Sequence, residues 1–502
     1  MDLKQWLVAS VLLILALRYL HTKKIKRKNI KHLPGPPRLP IIGNLHQLGQ
    51  HPHVSLHSLA KKYGPIFYLQ LGEIPTLVLS SPQMAREAMK TNDLALATRP
   101  EIFAAKHLFY NSSDIAFSPY GAHWRNVRKV CILELLSAKR VQSYGFVREQ
   151  EVAKLVQRVA ESCHNSINLS KLLNMYANGV VCRVVFGKDF TGGDGEYERL
   201  GFQEMLCEYQ ELLGGFSLGD FFPSMEFMHS LTGHKSRLVR AFKRFDKFFS
   251  DVIEERLNSH GRKEQKDFVD ILLEVQQDEH ADTPLTMDNV KAILLDMFAA
   301  GTDTTFITLD WAMIELVINP RVLGKVQAEV RSVVGERKYV SENDLPNLHY
   351  MKAVIKEVFR LHPPAPVLVP RESMEEITIG GLTIPEKTRV FINAWAVGRD
   401  PESWPDPERF EPERFVDSDV DFKGQDFELI PFGAGRRICP AITFGSASVE
   451  ICLAQLVHSF DWELPPGIRA EDLDMTEVFG ITMHRRCPLM VIAKPYIPII
   501  KN

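Results

Sequence analysis

The run Pro431-Phe432-Gly433-Ala434-Gly435-Arg436-Arg437-Ile438-Cys439 sets one cysteine behind a glycine-broken, doubly cationic loop. Gly433 and Gly435 permit positive φ and let the chain pass close to a bulky ligand, leaving the sulfur open to a partner. Ile442, Phe444, Val449, Ile451, Leu453, Leu456 and Val457 follow at helical spacing. Cys439 is thereby expected at a helix N-terminus, where orphan amides and the dipole lower a thiol pKa. A buried inert cysteine is the ordinary alternative, and the glycines and arginines count against it. A phosphatase-type nucleophile calls for a downstream arginine to close the anion loop, where Gly445 stands. Structural zinc needs four closely placed ligands, and Cys452, His458, His484 and Cys487 are scattered. A lone thiolate axial to haem iron needs one sulfur, a loop open to a flat macrocycle and cations for the propionates, and all are present.

With the aromatic Phe432 at its head and a basic residue two before the cysteine, this loop resembles the haem-binding signature of cytochrome P450 monooxygenases. One departure is Ala441, where the family usually has glycine. Ala300-Gly301-Thr302-Asp303-Thr304-Thr305 resembles the family's oxygen-activation motif. That resemblance implies that Ala300 and Gly301 leave space for a flat cofactor and dioxygen, while Asp303 and Thr304 bring a protonatable carboxylate and a hydroxyl. Trp124 and Arg128, four residues apart, offer donors on one helical face. Ser118 to Lys129 resembles the corresponding helix of plant members, which makes Trp124 and Arg128 candidate propionate ligands, joined by Arg437 and Arg371. Glu357 and Arg360, with Arg414, resemble the family's structural triad, whose implied role is scaffold stability.

The elements that must position these groups follow from periodicity. A helical pattern runs from Asp288, capped by Thr286, to Asn319 before Pro320. Its centre is poor helix sequence, so tertiary packing has to hold it. Further helices are predicted over 149–159, 238–257 and 267–275. Hairpins are predicted at 66–79, turning on Gly72-Glu73-Ile74-Pro75, and at 377–384, turning on Gly380-Gly381. The fold is expected to be mainly α with small β-sheets, and the resemblance implies a triangular helical prism with a long central helix and a single N-terminal membrane anchor.

Across 502 residues no linker, charge block or repeat divides the chain after about residue 40, so one large domain is expected. A net charge of −2 gives no basic field for nucleic acid. Seven cysteines without a close framework point to a reducing compartment. Trp6 to Leu17 is almost wholly apolar and is followed by Lys23, Lys24, Lys26, Arg27, Lys28 and Lys31. Basic charge after the run, with no Ala-x-Ala site, favours an anchor over a cleaved signal and puts the body in the cytosol. Leu33-Pro34-Gly35-Pro36-Pro37 should stiffen the exit from it. The expected organisation is an anchor at 1–22, a basic, proline-rich linker at 23–40 and a haem-thiolate catalytic domain at 41–502.

The resemblance covers nearly the whole chain and is nearest to plant microsomal members of specialised metabolism. It implies haem b on Cys439 and insertion of one oxygen atom from O2 into a small lipophilic substrate at the endoplasmic reticulum membrane. No dinucleotide fingerprint is present, since Gly192-Gly193-Asp194-Gly195 follows no suitable strand. Electrons are therefore expected from NADPH through NADPH-cytochrome P450 reductase, with cytochrome b5 a further partner, and Arg125, Lys129 and Arg436 are candidate contacts. The resemblance places pocket walls at Ile115 to Phe117, Phe298 and Ala299, Ala365 to Val369, and Phe479 to Ile481. A haem-thiolate isomerase or dehydratase needing no reductase is the rival enzyme, and a membrane haem carrier or sensor the rival outside enzymes; Asp303 and Thr304 argue against both.

Overall fold

The computed structural model of the chain describes residues 33–191, 201–214, 217–258, 265–278 and 284–496. The anchor at 1–22, the basic residues before 33 and the Gly192–Gly195 run lie outside the described residues. Helices dominate, with small sheets at the periphery. The elements framing the site are strands β1 (Ile66–Leu71) and β2 (Ile74–Leu79), helices α1 (Ala122–Val130), α2 (Leu169–Val185), α3 (Phe202–Gly214), α4 (Met287–Ile318) and α5 (His349–Leu361), strands β3 (Arg371–Glu372) and β4 (Arg389–Ile392), and helix α6 (Ile442–Ser459).

Helix α4 is the central rod. Thr286 Oγ1 accepts from Asn289 N–H at 3.2 Å and Asn289 Oδ1 accepts from Thr286 N–H at 2.9 Å, a reciprocal cap. Pro320 ends the rod by starting the next helix. The rod packs on α2, α5 and α6 and is buried on nearly every side. Although it is long and apolar enough to cross a membrane, that burial marks it as a core helix. Its weak centre costs under about 1 kcal/mol per residue in propensity. Burying Ile293, Leu294, Leu295 and Phe298 contributes roughly 1.5–3 kcal/mol each, so packing outweighs propensity.

The main sheet has the order β1-β2-β4-β3, with β2 and β4 parallel and the outer pairs antiparallel. The first hairpin turns on Gly72-Glu73 alone; Ile74 and Pro75 already belong to β2, Pro75 opposite Gln70. The second turns on Gly380 and Gly381 at φ 57° and 73°, a left-handed pair that only glycine takes cheaply. The proline segment is tied to β1: Tyr68 N–H donates to Pro34 C=O at 2.7 Å. A Cβ on Gly35 would sit 2.2 Å from Tyr68 C=O, so the approach requires glycine.

Candidate functional site

A cavity of about 280 Å³ lies between α4, the chain after α5 and the cysteine loop. Cys439, Phe432, Ala300, Gly301, Thr304 and Leu368 stand on its wall. The loop is held by Cys439 N–H donating to Phe432 C=O at 3.0 Å. Gly433 and Gly435 have φ 69° and 70°, and a Cβ on Gly435 would come within 2.3 Å of Met89 C=O and of Asp93. Phe432 is braced by Phe359 and Phe422, with ring centroids 5.1 and 5.5 Å away.

Two expectations about the cysteine change. Helix α6 begins at Ile442, and burial pushes the Cys439 thiol up in spite of the Ala441 N–H and Arg128, which favour the thiolate. Desolvation thus exceeds the helix-terminal effect, and a bound cation would be needed to hold the anion. Ala441 has φ −101°, which alanine adopts without strain, so no glycine is required there.

Four arginines, Arg99, Arg128, Arg371 and Arg437, face the same cavity. Arg437 donates to Ala97, Ile115 and Ser118 carbonyls, Arg371 to Leu96 and Ala434, Arg128 to Ile438, and Arg99 to Ala116, Val369 and Pro370. Burial, joined by mutual repulsion, pushes Arg437 down to about 9, and burial pushes Arg371 to about 10; Arg99 is driven well below its ordinary value by burial, then by Arg371 and Arg437. Nearby carboxylates are sparse: Asp93 is 3.8 Å from Arg371, and Asp114 is itself pushed up by burial. Such a cation excess beside a sulfur fits a flat group carrying two carboxylates. Arg99 was not foreseen; it stands alone in an apolar stretch, without a spacing signal.

Trp124 is not on the cavity wall. Its Nε1–H is given to Ile115 C=O at 3.1 Å, and its ring lies 4.1 Å from the Arg437 guanidinium and 5.5 Å from that of Arg128. It positions the two cations.

Asp303 and Thr304 diverge, because adjacent helical residues point about 100° apart. Thr304 lines the cavity and its hydroxyl donates to Ala300 C=O at 2.7 Å. Asp303 points away, accepting from Gln210 Nε2 at 2.8 Å and from the Thr482 hydroxyl, and burial pushes it up to about 6. It fastens α4 to α3 and to the C-terminal loop. The missing Cβ of Gly301 faces α2, where it would meet Val181 at 3.0 Å. Of the expected pocket walls, Phe298 and Ala299 are corrected: Phe298 packs into Phe186, Phe202 and Phe248, and Met297 and Ala300 face the cavity instead. Ile115 and Ala116 do reach it, on a loop pinned by two buried carboxylates. Asp296 accepts from Ile115 N–H at 2.8 Å, while Asp114 accepts from Ala116 and Phe117 at 3.0 and 2.8 Å.

Behind the loop, Glu357 and Arg360 form a fully buried two-pronged pair at 2.6 and 2.8 Å, with Arg414 3.4 Å from Glu357. Arg125 and Lys129 are exposed on α1; Arg436 is exposed but bonded to Asp93 at 3.1 Å.

A cytochrome P450 family profile matches residues 33–489. Cytochrome P450 71AP13 of Prunus mume is 66% identical over 98% of the chain and 96% of its own length. Premnaspirodiene oxygenase of Hyoscyamus muticus is 46% identical over 98% of each. Strychnine-11-hydroxylase of Strychnos nux-vomica is 47% identical over 94% of the chain and 93% of its own length. Among solved structures, a zebra fish cytochrome P450 with abiraterone superposes with a TM-score of 0.77 at 26% identity, over 89% of this chain and 99% of that one.

Proposed function

Since the chain belongs to the cytochrome P450 family and is a monooxygenase of it, we propose that it oxidises a small lipophilic plant specialised metabolite, such as a terpenoid, phenylpropanoid or alkaloid precursor. O2 supplies the inserted oxygen atom, and NADPH supplies electrons through NADPH-cytochrome P450 reductase, with cytochrome b5 as an accessory donor. The observation that carries the reading is a cysteine sulfur on the wall of a largely apolar cavity, beside three buried arginines and the half-buried Arg128. Relatives that are an oxygenase of premnaspirodiene and a hydroxylase of strychnine support the substrate class.

Haem b, implied by the family, would be held by Cys439 and supply the O2 chemistry, the thiolate favouring O–O cleavage. Arg128, Arg371 and Arg437, joined by Arg99, would neutralise its propionates. Thr304 holds a hydroxyl at the cavity wall, where a proton is needed. Asp303 acts one step removed, by setting the position of α4 against α3. Phe432, Leu368 and Val369 exclude water. Arg125 and Lys129 offer exposed charge to an acidic redox partner. The segment 1–22 would anchor the enzyme in the endoplasmic reticulum membrane, with the linker at 23–40 and the catalytic domain at 41–502 on the cytosolic side.

Carbon monoxide difference spectra of the haem-loaded protein should show a thiolate-type Soret band that Cys439→Ser abolishes. Turnover with a plant reductase, NADPH and a metabolite extract should yield products heavier by one oxygen atom in mass spectra. Product formed without NADPH or reductase would instead identify an isomerase or dehydratase. Thr304→Ala should keep consuming NADPH while product falls several-fold; unchanged coupling would remove Thr304 from the proton path.

A further inference from the structure

The one-turn helix Leu218–Phe221 is a junction between three elements. Asp220 Oδ1 accepts from Phe103 N–H at 2.7 Å, Phe221 C=O from Glu73 N–H at 2.7 Å, and Asp220 C=O from Arg389 Nη2 at 3.2 Å. The helix Phe103–Leu108, the first hairpin and β4 are all held through it. Asp220 and Phe221 also wall a second cavity, of about 140 Å³, which shares Leu368 with the cysteine cavity. The first N–H groups of a helix have no partner inside it, and that of Gly219 is received by a side chain. His229 Nε2 lies 2.9 Å from Gly219 N and 3.0 Å from Ser217 Oγ. A backbone N–H can only donate, so Nε2 carries no proton and the ring is neutral.

The contact has no slack. His229 is only 2% exposed, its ring is stacked on Phe103 with centroids 4.0 Å apart, and a Cβ on Gly219 would sit 2.3 Å from Nε2. A proton on Nε2 turns the acceptor into a donor. The Ser217 hydroxyl can rotate to accept from it, whereas the Gly219 N–H is left facing a cation. We propose that His229 is a proton-operated latch on the Leu218–Phe221 helix, closed while Nε2 accepts from Gly219 and released when Nε2 is protonated, which opens the cavity wall carried by that helix.

The surrounding charges set the direction. His107 faces His229 from the helix Phe103–Leu108, and Glu226 from the chain just before it. His234 stands with its ring 5.0 Å away at the start of the helix His234–Asn258, with Arg237 beside it. Burial first, then His234 and His107, push the His229 imidazole down, and Glu226 opposes them. The neutral ring's hold on Gly219 is therefore fully present above the ordinary 6.5 and is lost as pH falls through the lower folded value. Asp220, on the latched helix, is pushed up to about 6 by burial, so its own protonation favours the closed arrangement and works against release.

The test is amide hydrogen exchange, read by mass spectrometry on the full-length, haem-loaded protein at about pH 7.5 and about pH 5, with protection taken against the unstructured-chain rate at each pH. Loss of one buried hydrogen bond corresponds to roughly tenfold in a local opening equilibrium. Peptides covering Leu218 to Phe222 are expected to lose about tenfold in protection at the lower pH, while those from α4 keep theirs. His229→Gln retains an acceptor near the position of Nε2 that takes no proton, and is expected to abolish the loss. Equal protection at both pH values, a loss shared by α4, or a loss that persists in His229→Gln would overturn the latch. Should His229→Gln not fold, slow exchange at the His229 imidazole C2–H gives that ring's own titration in the unaltered protein. Protection lost with the same midpoint supports the latch; a different midpoint overturns it.

Discussion

Two groups of buried and half-buried arginines serve the neighbourhood of the cysteine loop, and they are solved differently. Behind it, all five N–H groups of Arg360 have partners: two go to Glu357, and the others to the Gly398, Pro407 and Arg409 carbonyls. Glu357 also accepts from Glu411 N–H at 2.7 Å and faces Arg414. Facing the cavity, Arg99, Arg128, Arg371 and Arg437 have only carbonyl dipoles and a few distant or protonation-prone carboxylates. Charge meant for the scaffold is closed on itself. Charge facing the cavity is left in excess, and that excess is the mark of an anionic ligand.

The comparison breaks most visibly at Glu357. Glu357→Ala strands two guanidiniums, one of them wholly buried, and should destabilise the fold by about 3–5 kcal/mol, the cost of an uncompensated buried charge. Urea unfolding of the haem-free protein would measure it, and a loss under about 1 kcal/mol would mean the pair is not the closed unit described. Next in size is Asp303, a buried carboxylate with hydrogen bonds but no cation. Its pKa of about 6 in the fold lies above the ordinary 3.8. Its contribution is therefore fully present below about pH 4 and lost as pH rises through about 6. A shift of about two units corresponds to up to about 3 kcal/mol. Asp303→Asn should flatten the stability profile between about pH 4 and 6, read by urea unfolding at several pH values; an unchanged slope would show that the carboxyl does not titrate there.

Much of this was legible in the chain because it is local. The Cys439 loop, the bounds of α4 with its Thr286 cap and the Gly380-Gly381 turn each depend on a few adjacent residues. Directions around a helix were not legible, since they depend on which neighbours arrive. Asp303 and Thr304 read as a functional couple, yet α3 and the C-terminal loop claim the first and the cavity the second. The resemblance places pocket wall at Phe298 and Ala299, whereas Met297 and Ala300, on either side of them, are the residues that turn to the cavity. Arg99 was missed because its meaning comes only from Arg371 and Arg437, brought to it from hundreds of residues away.

The smallest effect is also the most discriminating. Arg371→Met removes a guanidinium that burial already pushes down to about 10 and that lowers Arg99 further by repulsion. In the haem-free protein the lost bonds to Ala434 and Leu96 are offset by relief of that repulsion, so urea unfolding should move by no more than about 1 kcal/mol. If Arg371 is one of the cations that would neutralise a haem propionate, haem transfer from the variant to apomyoglobin should speed up about tenfold, the equivalent of about 1.4 kcal/mol. A scaffold arginine would move both readouts together, as Glu357→Ala should. A variant that lost stability without losing haem would place Arg371 with the closed set, leaving Arg99, Arg128 and Arg437 to account for the excess.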